Sequence, residues 1–442
     1  MTPEPTRSPQ PELIRAIGRW SMVALAVNCI LGSGIFGLPS TVAGLIGRAS
    51  PAAVLLAGLG MGVIVACYAE VASQFTETGG TYLYLRHAFG RLIGLQVGWM
   101  TLLTRLTACA ASVNLLVAYL AEFWPGATRT GPRLMVISTF IGLLTLVNYR
   151  GVAAGTLMSN ASVVAKLLAL GVLCAAGVAW LSVHGPVAAQ AVPASADAWL
   201  QAMLLLLFAY GGYETALNPQ GEARNPRRDV AFALFLALGI LTVLYALLQL
   251  IVVGVLAAPS RSTRPLADAA RVIMGQPGAA LIAVGALISV YGYVSANLLS
   301  VPRSMFALAE RGDFPGMFAA VHPRWRTPYV SIVVFALLVW AFSQFASFAW
   351  NVTLSAVARI LYYGAMCVAV PVLRRMQPAA AAFQLPGGLT LPVLGVAICA
   401  LLLTRADFSK SLILLTTVVI GLLNWLAVRD RGAASTSLAP KA

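Results

Sequence analysis

Residues 28–40 read NCILGSGIFGLPS and stand inside the first apolar run of the chain. As a lipid-exposed helix this stretch is badly built. Gly32, Gly34 and Gly37 each weaken a helix by roughly 1 kcal/mol relative to Ala, and Pro39 cannot donate the amide its turn requires. Backbone groups freed at such a break cannot face hydrocarbon. They must line a cavity or meet a ligand.

The surroundings make it a membrane helix. The 442 residues are 60% hydrophobic and 10% charged, a balance that a soluble protein could not cover with polar surface. No A-x-A-like cleavage site follows the first apolar run, so no removable signal peptide is expected. Cys29, Cys67, Cys109, Cys174, Cys367 and Cys399 all fall in apolar runs without CxxC spacing, which makes them packing residues and implies neither metal nor disulfide.

Hydropathy predicts about twelve spans, at roughly 17–47, 51–75, 93–123, 133–148, 157–183, 198–222, 229–257, 276–308, 328–345, 350–373, 390–404 and 409–428. The net charge of +15 is unevenly spread. Eighteen of the 29 basic residues lie in tails and loops of one side and eight on the other, so both termini are expected in the cytoplasm and the basic excess implies no nucleic-acid partner. Three remain deep inside spans, well away from their ends: Arg105, Lys166 and Arg359.

A second interruption lies in the sixth span, LFAYGGYETALNPQGEARNP (residues 207–226), where Gly211 and Gly212 precede Glu214 and Pro219. Paired glycines alone signal close helix packing more often than a site. The two breaks, however, lie five spans apart. Five is odd, so two successive five-helix units would insert with opposite orientation, and breaks at matching places in inverted units point to a transporter's binding site at the bilayer midplane.

Each break exposes amides at one helix end and carbonyls at the other, a pairing that suits a zwitterion. The amides around Ser33, Gly34 and Ile35 would take a carboxylate. Carbonyls near Ile30 and Ala209 would take an ammonium. Glycine suits the first break because a side chain would obstruct backbone approach.

GSGIF in span one, and FAYGGYE with EARNPRRD in and after span six, resemble the amino acid-polyamine-organocation (APC) transporters. TGGTYLYLRHAFG (residues 78–90), PRSMFALAERGDFP (302–315) and HPRWRTPYVS (322–331) resemble signatures of the same family after spans two and eight. The resemblance implies a leucine-transporter-like five-plus-five inverted repeat, alternating access, and amino acids or amines as substrates. It assigns Ser33, Gly34 and Ile35 to the substrate carboxylate and the backbone of Phe208, Ala209, Tyr210 and Gly212 to its amine. FAYGG looks most like the L-type neutral amino-acid exchangers, whereas GYE is closer to the GVE of acid-resistance arginine antiporters.

Lys166 is too deep to snorkel comfortably. It is either a helix lock or an ammonium standing in for a coupling sodium between span one's break and span eight, fixed or loading and releasing a proton during transport, at the place where several members of the family carry a lysine. Glu214 opens the short half of span six, as a structural cap, a gate, or the acidic partner of a cationic substrate. Arg105 and Arg359 are read first as structural, binding carbonyls or contributing to a gate.

The expected architecture is therefore an all-α integral membrane protein with a tail at 1–16, five-helix repeats at 17–183 and 198–373, two added helices within 390–428, and a tail at 429–442. The expected function is secondary transport of neutral L-amino acids in the cell inner membrane. It would be sodium-independent, by proton-coupled symport, exchange or facilitated diffusion, with no cofactor or metal; the alternative is a transporter or antiporter of cationic amino acids or polyamines. An enzyme would need an intramembrane catalytic set, but His87, His184 and His322 map to loops or span ends. A channel would show neither saturation nor counter-substrate stimulation.

Overall fold

The computed structural model describes residues 17–77, 79–150, 155–187, 192, 194–377 and 381–436, the side chains of 155–163 and 430–436 aside. The N-terminal tail, Thr78 and the last residues of the C-terminal tail lie outside the described residues. All regular structure described is helical.

The first apolar run forms two helices, α1 (Arg19–Ile30) and α2 (Gly34–Ile46). They are followed by α3 (Ser50–Ala72), α4 (Gly80–Phe89), α5 (Arg91–Leu120), α6 (Thr130–Arg150) and α7 (Gly155–His184). A second broken pair comes next, α8 (Ala196–Tyr210) and the single turn α9 (Tyr213–Ala216). The chain continues through α10 (Pro226–Val255), α11 (Pro265–Glu310), α12 (Tyr329–Phe345), α13 (Phe348–Met376), α14 (Thr390–Leu403) and α15 (Phe408–Thr436). Two elements were not foreseen. α4 is a short amphipathic helix in what reads as a loop, and α11 carries an extra segment before a kink at Gly275, whose φ of 72° breaks the helical path close to the expected start of span eight.

Among the described residues eight helical stretches are long and apolar enough to cross a membrane, and α1, α12 and α14 are shorter apolar helices. One of the eight, Gly34–Ala72, joins α2 to α3 through a turn at Gly47, whose φ of 56° ends α2. Packing sorts them into centre and rim. The apolar window of α5 is 83% buried, whereas that of α6 is 17% buried, so α5 lies at the centre and α6 at the periphery. Leu143, Val147, Leu168, Leu337, Val393, Leu415 and Leu423 form the exposed apolar exterior that lipid would cover. Within the bundle α2 packs on α8, α1 on α9 and α10, α3 on α10, α5 on α13, and α11 on α7, which brings both interruptions to the middle.

Candidate functional site at the two helix breaks

At the first break the chain leaves helical geometry at Leu31 (ψ 76°) and resumes at Ser33 (φ −68°, ψ −20°). Gly34 and Ile35 are the first residues of α2, so their amides precede any intrahelical acceptor and are the ones open to a ligand. Ser33 is buried, and its hydroxyl accepts a hydrogen bond from Ser112 of α5 at 2.8 Å. The carbonyl side is held by Lys166 of α7. Its Nζ donates to Leu31 O at 2.7 Å, Asn28 Oδ1 at 2.8 Å and Asn28 O at 3.4 Å. The lysine thus caps the C-terminal end of α1, where the helix dipole favours a cation. All three of these bonds go to α1; towards α11 the lysine shares a cavity with Ser289, whose buried hydroxyl has no hydrogen-bond partner.

The second break is made by Gly211 in extended geometry and Gly212 at φ 116°. Gly212 meets two demands at once, since its backbone is left-handed and a Cβ there would strike the carbonyl oxygen of Cys29. At Gly211 a Cβ would occupy the space of the Arg359 guanidinium. Gly34 meets a third demand, because a Cβ there would lie 3.0 Å from Ala209 Cα and 3.4 Å from the Phe208 ring. Glycine at 34 is thus required by the crossing of α2 over α8 as well as by access to its amide. The two breaks are packed directly against each other.

Glu214 is the hub of the second break and is 4% exposed. One oxygen accepts from Gly212 N at 2.8 Å and from Tyr363 OH at 3.1 Å; the other accepts from Tyr362 OH at 3.3 Å. Arg359 Nε of α13 lies 3.5 Å from that second oxygen, and Arg105 Nη2 of α5 lies 3.9 Å from it. Arg359, 2% exposed, also donates to Phe208 O at 3.4 Å, while Arg105 hydrogen-bonds the Thr215 hydroxyl.

The carbonyls expected to take an ammonium are already approached by the chain's own donors. Tyr245 OH lies 3.3 Å from Ile30 O, which also accepts from Gly32 N at 2.7 Å, and 3.4 Å from Ala209 O; its single proton serves one of the two at a time. Phe208 O receives Gly211 N at 3.1 Å in addition to Arg359. Tyr210 points elsewhere, donating to Val54 O of α3 at 2.9 Å, so only its backbone belongs to the break.

Two groups of cavities approach this centre from opposite halves of α5. On the α4 side a cavity of about 340 Å³ is lined by Gly98, Leu102, Arg105, Glu214, Thr215 and Ser300, among others. It shares Arg105, Thr215 and Ser300 with a smaller one of about 100 Å³ that reaches Asn28, Cys29, Lys166 and Tyr293. On the other side a cavity of about 410 Å³ meets Gly37, Ser40, Asn114, Leu115 and Phe348. Between them the first break is nearly closed, with Ile30, Leu31, Ser33, Ile35 and Phe36 buried and Gly32 half-buried.

Ion pairs tie each end of the bundle. On the α4 side Asp313 binds Arg86 at 2.6 Å, Arg91 at 2.7 Å and the Tyr82 hydroxyl, which joins the TGGTYLYLRHAFG and PRSMFALAERGDFP signatures in space. At the opposite end Glu122 pairs with Arg264 at 3.3 Å and with Arg271. Burial pushes the Glu122 carboxyl up, but the Arg271 hydrogen bonds and the Arg264 charge outweigh it and hold it below its ordinary range.

The order of residues marks both breaks, Lys166 and Glu214, and leaves Tyr245, Tyr362, Tyr363 and Ser112 unmarked; Arg359, expected to bind a carbonyl or contribute to a gate, binds Phe208 O and also lies beside Glu214, as does Arg105. One signal was available: three bases deep in spans against Glu214 demand an accounting of charge. The tyrosines carried none, because an apolar helix holds many for packing alone.

Interrupted helices converging on buried charges inside an apolar-faced bundle define a class, the membrane transport proteins. The family model for amino acid permeases matches residues 17–422, and the chain belongs to that family within the APC superfamily. Among its relatives, the methylthioribose transporter of Bacillus subtilis is 26% identical over 89% of this chain and 88% of its own length. The branched-chain amino acid permease BcaP of the same organism is 25% identical over 94% and 93%. Its serine/threonine exchanger SteT is 28% identical over 72% and 74%. The chain is thus a transmembrane transporter and not an enzyme.

Proposed function

We propose that the protein is a secondary active, sodium-independent transporter of α-amino acids that works by alternating access around the two breaks. The observation that carries this reading is the nearly closed first break between cavities on opposite halves of α5, with Gly34 packed on Ala209. In this reading the bundle crosses the membrane twelve times. α1–α2 and α8–α9 each count as one crossing, α1 to α7 and α8 to α13 form inverted five-span repeats, and α14 and α15 are additions. The excess of basic residues on the α4 side supports a plasma-membrane protein with both termini cytoplasmic.

The substrate carboxylate would take the amides of Ser33, Gly34 and Ile35 at the start of α2. Its ammonium would take the carbonyls of Ile30 and Ala209, with the Phe208 to Gly212 backbone completing the site. Lys166 would supply at the end of α1 the positive charge that sodium supplies in coupled carriers. A cationic or polyamine cargo finds less support, since it would meet Arg105, Arg359 and Lys166 with the one acid, Glu214, already engaged by Arg359.

Reconstitution into liposomes tests the reading. Vesicles preloaded with a single amino acid should accumulate that amino acid in labelled form by saturable counterflow, unchanged when sodium is replaced by choline. An inward proton gradient distinguishes symport from exchange. Absence of counterflow with every amino acid, or strict dependence on sodium, would overturn it.

A further inference from the structure

The charges at the breaks do not balance. Arg359 is spent on Glu214 and Phe208 O, and Lys166 on the carbonyl end of α1. Arg105 is not spent in this way. It is 8% exposed, its guanidinium has five N–H donors, and its protein partners among the described residues are the Thr215 hydroxyl and, at 3.9 Å, the same Glu214 oxygen that Arg359 approaches at 3.5 Å. It also stands where the two α4-side cavities meet, since both are lined by it. Their linings contain Arg105, Arg311 and Lys166 but only one acid, Glu214, together with the neutral donors Thr101 and Ser300.

A desolvated guanidinium with unused donors facing a polar cavity is costly unless the ligand completes it, and a carboxylate matches its planar fork. A neutral side chain, as expected from the FAYGG resemblance, would leave it incomplete. We propose that Arg105 receives the side-chain carboxylate of the substrate, so that the transported class is the dicarboxylic amino acids, aspartate and glutamate. This rests on the transport reading above and names its substrate. The α-carboxylate and ammonium keep their places at the breaks. The third charged group lies against Arg105, in the cavity that adjoins Cys29 and Tyr293.

Proteoliposomes loaded with L-glutamate and assayed for uptake of labelled L-glutamate test it. Unlabelled glutamate and aspartate should compete at least tenfold better than glutamine, asparagine, leucine or arginine, which corresponds to about 1.4 kcal/mol. Arg105→Gln should lose at least tenfold in glutamate affinity and narrow the gap between glutamate and glutamine, while Arg105→Lys should retain part of the preference. Thermal melting of each variant in detergent, with and without glutamate, separates lost binding from lost folding; if Arg105→Gln does not fold, wild-type selectivity and Arg105→Lys decide. Counterflow of neutral amino acids without glutamate would overturn this inference and leave the transport reading standing, as would a folded Arg105→Gln protein with unchanged glutamate preference. No counterflow of any amino acid would overturn both.

Discussion

The two breaks solve the same backbone problem by different chemistry. At residues 30–33 the freed carbonyls are met by one lysine and one tyrosine brought from α7 and α10, and the first amides of α2 precede any intrahelical acceptor. At residues 211–212 the break is stabilised by a buried ionic cluster drawn from α5, α9 and α13, centred on Glu214. A break held by hydrogen bonds onto neutral carbonyls can exchange partners at less cost than one held by paired charges. One resolved by a buried ion pair resists change, because each charge depends on the other for its solvation. The first break is thus the more adaptable half of the site and the second the more rigid.

That contrast is most exposed at Arg359. Replacing it with Leu strands Glu214 in the bundle and should destabilise the protein by about 3–5 kcal/mol, read as a large fall in melting temperature in detergent. Glu214→Gln in the same chain should recover part of the loss. A single Arg359→Leu variant that melts like wild type would remove the ionic account of the second break.

Gly212→Ala should cost less, about 1–3 kcal/mol from its left-handed backbone, with a further penalty from the Cys29 carbonyl. Transport should fall more than expression does, since the clash pushes α9 off α1. Normal counterflow by this variant would show that the α1 to α9 contact is dispensable.

At the first break Lys166→Met removes three hydrogen bonds at about 0.5–1.5 kcal/mol each. The vacated carbonyls are suited to a small cation, so sodium chloride should raise the melting temperature of this variant relative to choline chloride and leave wild type unmoved. Equal behaviour of both salts would sharpen the role of Lys166 to that of a helix lock.

The smallest effect concerns the rim. Glu122 is held below its ordinary range, so its pairing contributes stability that is full above the unfolded-state value near pH 4.5 and is lost as pH falls through its lower folded value. Glu122→Gln should abolish that acid-side loss, about 1 kcal/mol or less for a pair at the solvent edge. Melting curves from pH 3 to pH 7 measure it.

Much of this was legible in the order of residues. Both breaks stand where glycine pairs and prolines interrupt apolar runs, because a lipid-facing helix cannot tolerate unpaired backbone without a reason. The start of span eight near 276 was legible too, as the run after Gly275 and Pro277. α4 was not, since ten residues are too short and too polar to stand out as a span from hydropathy. Nor was the double duty of Gly34, which depends on Ala209, 175 positions later, crossing within 3.0 Å of where its Cβ would be.

Apolar content, the length of the runs and the side-to-side bias of Arg and Lys are properties of local sequence, and they determined that the chain is a membrane helix bundle interrupted twice. Which charges meet was decided by tertiary structure alone. Arg105, Glu214 and Arg359 lie on helices far apart in sequence, and only the packing of α5 and α13 around α9 sets one carboxylate between two guanidinium groups. Hydropathy can register that a charge is buried, but its partner is fixed by distances that exist only once the helices have packed.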